Sequence, residues 1–331
     1  MPRAIVLGGT GLLGAQAIRA LVEDGYTVTS VARRSPALDS WHPAEVTHLQ
    51  ADVGAMDGSA LDDLLAGNQV VVQAFGPDDR VVPPAPADRF FQQGLVDVTE
   101  EVCGASARVG VRSLVVFGSY FTYLNRTFPD LGLAERHRYI AARVRQLAGC
   151  EAAAGPDLSV AVLEIPYVFG TMPERDPMWF DVLVRRIHWM RPWIFFPRGG
   201  TAVCSARFVG EVAAAVVRSG LRGPVPVAEE NITWGELLRL ATEELYGTSR
   251  RVVTIPTPVA AAYGWVEQLL ARLRRREPGL HYGRYIGDVH ARRSYIEDVD
   301  RDAVLAKLGL APSSVEPAIR DTFSRCAELL A

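Results

Sequence analysis

Four apolar residues, Ala4 to Leu7, run straight into glycines at 8, 11 and 14. An amphipathic segment follows, with Leu13, Ala17, Ile18 and Leu21 on one face. That order describes a buried parallel strand, a tight turn and a helix. Gly8 lets the chain leave the strand, Gly11 leaves room for a pyrophosphate against the backbone, and Gly14 lets helix and strand pack closely. Phosphates would then lie on the free N–H groups at the positive end of the helix. A glycine triplet is a weak signal alone, but here it sits after a strand and before a helix. We therefore expect a dinucleotide site with contacts from Gly8, Thr10, Gly11, Leu12 and Gly14; a purely structural Gly-rich turn is the alternative.

A second β-rich run, Tyr26 to Val31, ends in Ala32-Arg33-Arg34. A site for NAD usually places a carboxylate at this strand end to bond the ribose hydroxyls. Ala32 stands there instead, and guanidinium forks at Arg33 and Arg34 suit a 2′-phosphate, so the expected cofactor is NADP(H). The alternative, two solvated arginines, has some force because Lys307 is the only lysine among 35 basic residues. Val46 to Val53 reads as a third strand, with Asp52 and Val53 placed to meet the adenine. Asp52 could equally cap the helical segment around 59–65. Val70 to Pro77 reads as a fourth strand, where Ala74, Phe75 and Gly76 would let the ribose pass. A stiff loop with Pro83, Pro84 and Pro86 follows at the rim of the site. A long helix over 91–108 and a fifth strand over 114–119 complete a doubly wound parallel α/β sheet.

Several motifs now combine. They are the Gly-x-x-Gly-x-x-Gly turn, Asp52-Val53 after strand three, Ser119 four residues before Tyr123, and Tyr139-x-x-x-Arg143 on a helix. With Leu163 to Gly170, Phe208 to Ala215 and the closing Leu308 to Ile319, they resemble the extended short-chain dehydrogenase/reductases, the NAD-dependent epimerase/dehydratase group. The resemblance implies a Rossmann domain and a smaller substrate-binding lobe. It also implies Ser119 as the hydroxyl that polarises a carbonyl, Tyr139 as acid/base, and Arg143 where the family has a lysine. Pro166, Tyr167 and Val168 would form the loop over the nicotinamide, beside Tyr139 and Arg143. A phenol of ordinary pKa near 10 needs a fixed positive charge close by, and residues four apart on a helix share a face. Arginine can supply that charge but not pass on a proton. Leu95 falls where many relatives have an asparagine that supports the proton relay. Tyr123 and His137 are the other acid/base candidates. Tyr139 as an ordinary helix residue and Ser119 as a strand-end cap are the plain alternatives.

At 331 residues, nearly half of them hydrophobic, the chain suits a nucleotide-binding domain plus a smaller lobe. We expect residues 1–170 to form the Rossmann domain, 201–220 to return to it, and 171–200 and 221–331 to be mainly substrate-binding. A net charge of −3 gives no basic surplus for a nucleic-acid partner. Neither signal peptide nor membrane span is visible, and no membrane partner is expected. Four scattered cysteines and no metal-ligand spacing fit a cytoplasmic protein without a metal site.

Beyond residue 171, Trp179, Phe180, Trp189, Trp193, Phe195 and Phe196 crowd a short span and divide between lobe core and ligand wall. A second candidate wall carries Tyr263, Trp265, Tyr282 and Tyr285. Arg272, Arg274, Arg275 and Arg276 read as a solvated helix end or a grip on an anionic substrate. The expected function is an NADP(H)-dependent oxidoreductase acting on a carbonyl or hydroxyl of a hydrophobic or cyclic small molecule, such as one of secondary metabolism. The alternatives are a nucleotide-sugar epimerase or dehydratase with retained NAD(P), and a cofactor-binding sensor or non-redox isomerase. By analogy with the family, the protein would be a homodimer through helices at about 91–108 and 136–150.

Overall fold

The computed structural model describes residues 1–34, 42–173, 175–190 and 192–330. Its first strand, β1 (Arg3–Leu7), buries Ala4 to Leu7 and hands the chain through the glycine turn to α1 (Leu12–Glu23). There follow β2 (Thr27–Ala32), β3 (Thr47–Gln50), α2 (Gly58–Leu65) and β4 (Val70–Gln73). A continuous helical run then comprises α3 (Ala87–Phe91), a π-helical stretch (Gln92–Asp97) and α4 (Val98–Arg108). Next come β5 (Ser113–Phe117), α5 (Phe121–Thr127), α6 (Leu133–Arg136), α7 (Arg138–Ala153), β6 (Ser159–Glu164) and β7 (Tyr167–Phe169).

The remainder runs through α8 (Arg185–Ile187), β8 (Trp193–Pro197), β9 (Gly200–Ser205), α9 (Ala206–Ser219) and β10 (Gly223–Pro226). After these come β11 (Glu230–Thr233), α10 (Trp234–Tyr246), β12 (Arg251–Ile255), α11 (Thr257–Leu273), α12 (Tyr282–Tyr285), β13 (Arg293–Ser294), α13 (Asp298–Leu308) and α14 (Glu316–Glu328).

Seven parallel strands form the main sheet in the order β10-β6-β5-β4-β1-β2-β3. Sequence order reverses at β1, which lies between β4 and β2. Such a switch point opens a crevice at the carboxyl ends of the strands, where open α/β sheets bind their ligands. One face of the sheet is covered by α1 and α9, with Leu305 and Leu308 of α13. The other is covered by residues of α2, α4 and α7. A Cβ on Gly210 of α9 would lie 2.5 Å from the Gln16 carbonyl, so glycine permits the close contact with α1. Besides 206–219, therefore, β10 and part of α13 pack with the first unit; their apolar faces complete its sheet and its helical layer.

The alternatives left open at Asp52 resolve here. Helix α2 is capped by Asp57, whose carboxylate accepts from the Ala60 amide at 2.8 Å. Asp52 is exposed beyond the end of β3 and makes no capping bond. The cap of α2 is Asp57 rather than Asp52 because β3 ends at Gln50 and a short 3-10 turn, Val53–Ala55, separates Asp52 from the helix.

The aromatic segment after residue 171 also divides. Trp179 stacks on Phe169 at 4.5 Å between ring centres and joins Ile187, Ile194, Trp234 and Phe323 in the core of the second lobe. Trp189, Trp193 and Phe195 stay outside that core, since they point to solvent.

Candidate active site

Of the sequence-predicted cofactor residues, Gly8 to Gly11, Arg33 and Arg34, Asp52 and Val53, and Ala74 to Gly76 follow the carboxyl ends of β1, β2, β3 and β4, whereas Leu12 and Gly14 lie in α1, Tyr139 and Arg143 in α7, and Tyr167 and Val168 in β7. Gly8 turns the chain out of β1 with φ at +90°, where a Cβ would meet the Ala74 carbonyl at 2.7 Å. A Cβ on Gly14 would meet the Gly8 carbonyl at 2.3 Å, so that glycine is needed for packing. Gly9, which motif reading passes over, is just as constrained: its Cβ would fall 2.2 Å from Ser30 Oγ. Gly11 differs, since an added Cβ there would come no closer than 3.4 Å to any atom. It is the N-cap of α1 and offers no side chain to the first-turn amides. A phosphate-sized cradle with uncapped N–H groups is therefore present, and the residues fit a dinucleotide.

Beyond β2, Arg33 and Arg34 are exposed, and neither guanidinium enters an ion pair among the described residues. The Gln50 amide donates to the Arg33 carbonyl at 3.1 Å, tying this turn to β3. Val53 is buried among Val31, Leu61 and Leu65, so only its backbone can face an adenine. Ala74, Phe75 and Gly76 follow the carboxyl end of β4, and Pro166 follows β6, but Tyr167 and Val168 are not the loop expected there: they form β7, which pairs with β9 of the second sheet.

The centre of the site is a buried hydrogen-bond chain. Tyr139 and Arg143 lie one turn apart on α7, and Arg143 Nε donates to the Tyr139 hydroxyl at 2.9 Å. The same guanidinium donates through Nη1 to the Phe117 carbonyl at 3.3 Å and to Gln146 Oε1 at 2.7 Å. Gln146 in turn donates to Thr99 Oγ1 at 2.8 Å and to the Leu95 carbonyl at 3.3 Å. The departure at Leu95 thus has a structural consequence: its backbone, not its side chain, helps to hold the group that orients Arg143.

Ser119 follows β5, two residues beyond the carbonyl that Arg143 bonds and two before Phe121, whose ring packs edge-on at 6.0 Å against that of Tyr139. Among the described residues its hydroxyl accepts a long 3.5 Å contact from the Phe121 amide and makes no other side-chain hydrogen bond. Burial raises the Tyr139 pKa; Arg143 opposes the shift without reversing it. The hydroxyl therefore carries its proton at neutral pH.

The other two acid/base candidates are structural. Tyr123 donates to Asp300 at 2.7 Å and accepts from the Glu297 amide at 3.0 Å, tying α5 to α13. His137 caps α7 from a fully buried position. Its Nδ1 accepts from the His281 amide at 3.0 Å, and burial pushes its pKa down to about 4.

Asp79 escaped the sequence reading altogether. It is half-buried in the loop after β4, with Arg143 and Tyr139 within electrostatic reach and Tyr120, Tyr167 and Tyr285 around it. Burial, reinforced by Asp78, pushes its carboxyl up to about 6 despite opposition from Arg80 and Arg143. The tyrosines are themselves joined, with the Tyr167 and Tyr285 hydroxyls 2.6 Å apart and Thr201 Oγ1 donating to Tyr120 at 3.2 Å. Of the second expected wall, Tyr285 and the half-buried Tyr282 remain near the site, whereas Tyr263 and Trp265 are exposed. Asp-Asp-Arg in a loop carries no recognisable pattern, so only the folded chain reveals this carboxylate.

A parallel sheet with a switch point at β1, a glycine turn leading to an uncapped helix N-terminus and a buried Tyr139–Arg143 pair on α7 describe a Rossmann-like fold with features of a dinucleotide site. Residues 8–152 match the NAD(P)H-binding family model. The chain is 24% identical over 259 residues to the ceramide reductase of Caulobacter vibrioides, covering 76% of this chain and 73% of that one. Among solved structures it superposes on MoeE5 in complex with UDP-glucose and NAD, with a TM-score of 0.65 and 18% identity, over 99% of this chain and 100% of that one. It also superposes on the UDP-glucuronic acid 4-epimerase of Bacillus cereus in complex with NAD, with a TM-score of 0.67 and 10% identity over 99% and 100% of the two chains. The resemblance read from the motifs therefore holds for the dinucleotide-binding domain and for the fold as a whole.

Proposed function

We propose that this chain is an NADP(H)-dependent reductase of a carbonyl group on a hydrophobic or cyclic small molecule. The observation that carries the reading is the buried Tyr139 hydroxyl held 2.9 Å from Arg143 Nε at the carboxyl edge of the sheet. A phenol that keeps its proton at neutral pH is a donor, and a fixed guanidinium favours the phenolate left behind. When bound, the reduced nicotinamide supplies the hydride. Ser119 holds the substrate oxygen, and Tyr139 gives that oxygen its proton. General-acid work of this kind contributes about 10²–10⁴-fold.

Arg143 cannot return the proton, since a guanidinium does not release one in a protein. Asp79 is the group that can. Its raised pKa keeps a protonated fraction near neutral pH, and its partial exposure lets it reload from solvent. No direct bond joins it to Tyr139 among the described residues, so the transfer requires an intervening hydroxyl or water. The 2′-phosphate would lie on Arg33 and Arg34, and the adenine against Asp52. The ceramide reductase relative supports an apolar substrate, as do the aromatic rings around Tyr139.

Denaturing the purified protein and identifying the nucleotide it releases tests the reading. NADP(H), or an empty site that binds NADPH more tightly than NADH, is the expected result. Stoichiometric retained NAD⁺ would instead favour epimerase or dehydratase chemistry and refute the assignment of Arg33 and Arg34. Turnover that survives Tyr139→Phe would remove Tyr139 from the chemistry.

A further inference from the structure

Helix α11 is amphipathic the wrong way round for a helix that simply completes a lobe. Its buried face is Ala260, Gly264 and Gln268, and a Cβ on Gly264 would lie 2.6 Å from the Tyr282 carbonyl of α12. The opposite face shows Val259, Tyr263, Val266, Leu270 and Leu273 to solvent, at spacings of four, three, four and three residues. Leu273 is 72% exposed. On the same side of the lobe, Trp189 is 84% exposed, and Trp193 and Phe195 alternate outward from β8 beside β12, the strand that leads into α11. Arg186 acts electrostatically on Tyr263, which places the α8 segment next to this helix. Monomeric soluble proteins rarely leave so many large apolar side chains contiguous and uncovered.

The charge around the patch identifies what covers it. Arg272, Arg274, Arg275 and Arg276 stand at the end of the helix, and none enters an ion pair among the described residues. Behind them lies a cleft of about 440 Å³ whose lining adds Arg284 to the positive charge; Arg136 and Arg138 also line it but are paired with Asp288 and Glu277, and Glu135 lies beside them. The acidic side chain along the exposed stretch of α11 is Glu267, half-buried and engaged by Tyr263. A second copy is a poor occupant. Paired antiparallel, two such helices would set the arginines of one against the positive N-terminus of the other. Paired parallel, they would set arginine against arginine.

We propose that this face docks the protein on an anionic phospholipid surface. The apolar stripe and outward tryptophans enter the headgroup boundary, and the arginines bond the phosphates. None of the described helices is long and apolar enough to cross a membrane, so the contact is peripheral. The packing of α11 on α12 leaves Tyr285 and its ring of tyrosines one helix from that surface.

Flotation with phosphatidylglycerol and phosphatidylcholine vesicles tests the proposal and needs no substrate or cofactor. Binding to the anionic vesicles is expected, lost in about 0.5 M salt, where the screening length falls to a few ångströms. Each arginine near such a surface is worth roughly fivefold in partition, so Arg274→Gln with Arg275→Gln should weaken binding about 25-fold. Leu270→Glu with Leu273→Glu should abolish it while far-UV circular dichroism stays unchanged, since both side chains are exposed. Equal binding to both vesicle types would overturn the proposal. So would a protein that ignores vesicles and forms a dimer broken by the leucine changes, or one that ignores vesicles as a monomer.

Discussion

Replacing Arg143 by Met keeps much of the side-chain volume but removes a charge that makes three hydrogen bonds in a buried setting. The loss can be estimated from the partners it leaves. The bond from Nε to the Tyr139 hydroxyl, 2.9 Å long, is charge-assisted and worth about 1.5–3 kcal/mol. Gln146 Oε1, on a side chain only 2% exposed, loses its donor and keeps a desolvation cost of about 1–3 kcal/mol. Counting nothing for Phe117, the cost is about 2.5–6 kcal/mol. Unfolding entropy for a chain of 331 residues is about 0.7 kcal/mol/K if it melts as one unit, so Tm should fall by about 4–9 °C. The Tyr139 pKa should also rise, because the guanidinium that favours its phenolate by charge and hydrogen bond is gone. Differential scanning calorimetry reads the first effect and ultraviolet tyrosinate titration, with Tyr139→Phe as reference, reads the second. A variant that melts with the wild type and shows the same Tyr139 titration would refute the buried chain of bonds. Arg143→Lys should recover the titration but only part of the stability, since an ammonium cannot reach Tyr139, Phe117 and Gln146 with the same fork.

Gly14→Ala should unfold or badly destabilise the protein, because its Cβ meets the Gly8 backbone at 2.3 Å, whereas Gly11→Ala should leave Tm nearly unchanged and weaken NADPH binding by tenfold or more, about 1.4 kcal/mol, measured by calorimetric titration. Arg33→Ala with Arg34→Ala should cost NADPH at least about tenfold in affinity and leave NADH unchanged, at about 1.5–3 kcal/mol per charge-assisted bond lost; equal losses for both nucleotides would contradict a 2′-phosphate site. Asp79 gives a pH dependence of definite sign. Its carboxyl sits at about 6 in the folded protein against 3.8 when free, so the unfolded chain gives up this proton first and stability falls as pH rises from about 4 to about 6. Asp79→Asn should therefore raise Tm above about pH 6, where the charged carboxylate costs on the order of 2–3 kcal/mol, and leave it unchanged near pH 4. The same variant should slow steady-state reduction more than the first turnover, since the first proton is already on Tyr139.

Local order is what the sequence by itself determined. The strand, glycine turn and helix at the start of the chain follow from residue type and spacing, and the pairing of Tyr139 with Arg143 follows from the pitch of one helix. The alternation of strands and helices likewise specifies which turns end at the carboxyl edge of a parallel sheet, which is why Gly8, Arg33, Asp52 and Ala74 lie there. Where contacts join residues far apart in the chain, the pattern is silent. It could not choose Asp57 over Asp52 as the cap of α2, because that depends on where a strand stops pairing. It could not place Asp79 among Tyr120, Tyr139, Tyr167 and Tyr285, four residues supplied by separate parts of the chain. Nor could it tell that α11 would bury its small side and expose its large one. Hydrophobic periodicity locates the two faces of a helix, but which face is covered depends on how closely a neighbour's backbone can approach, and at Gly264 only the folded chain decides that.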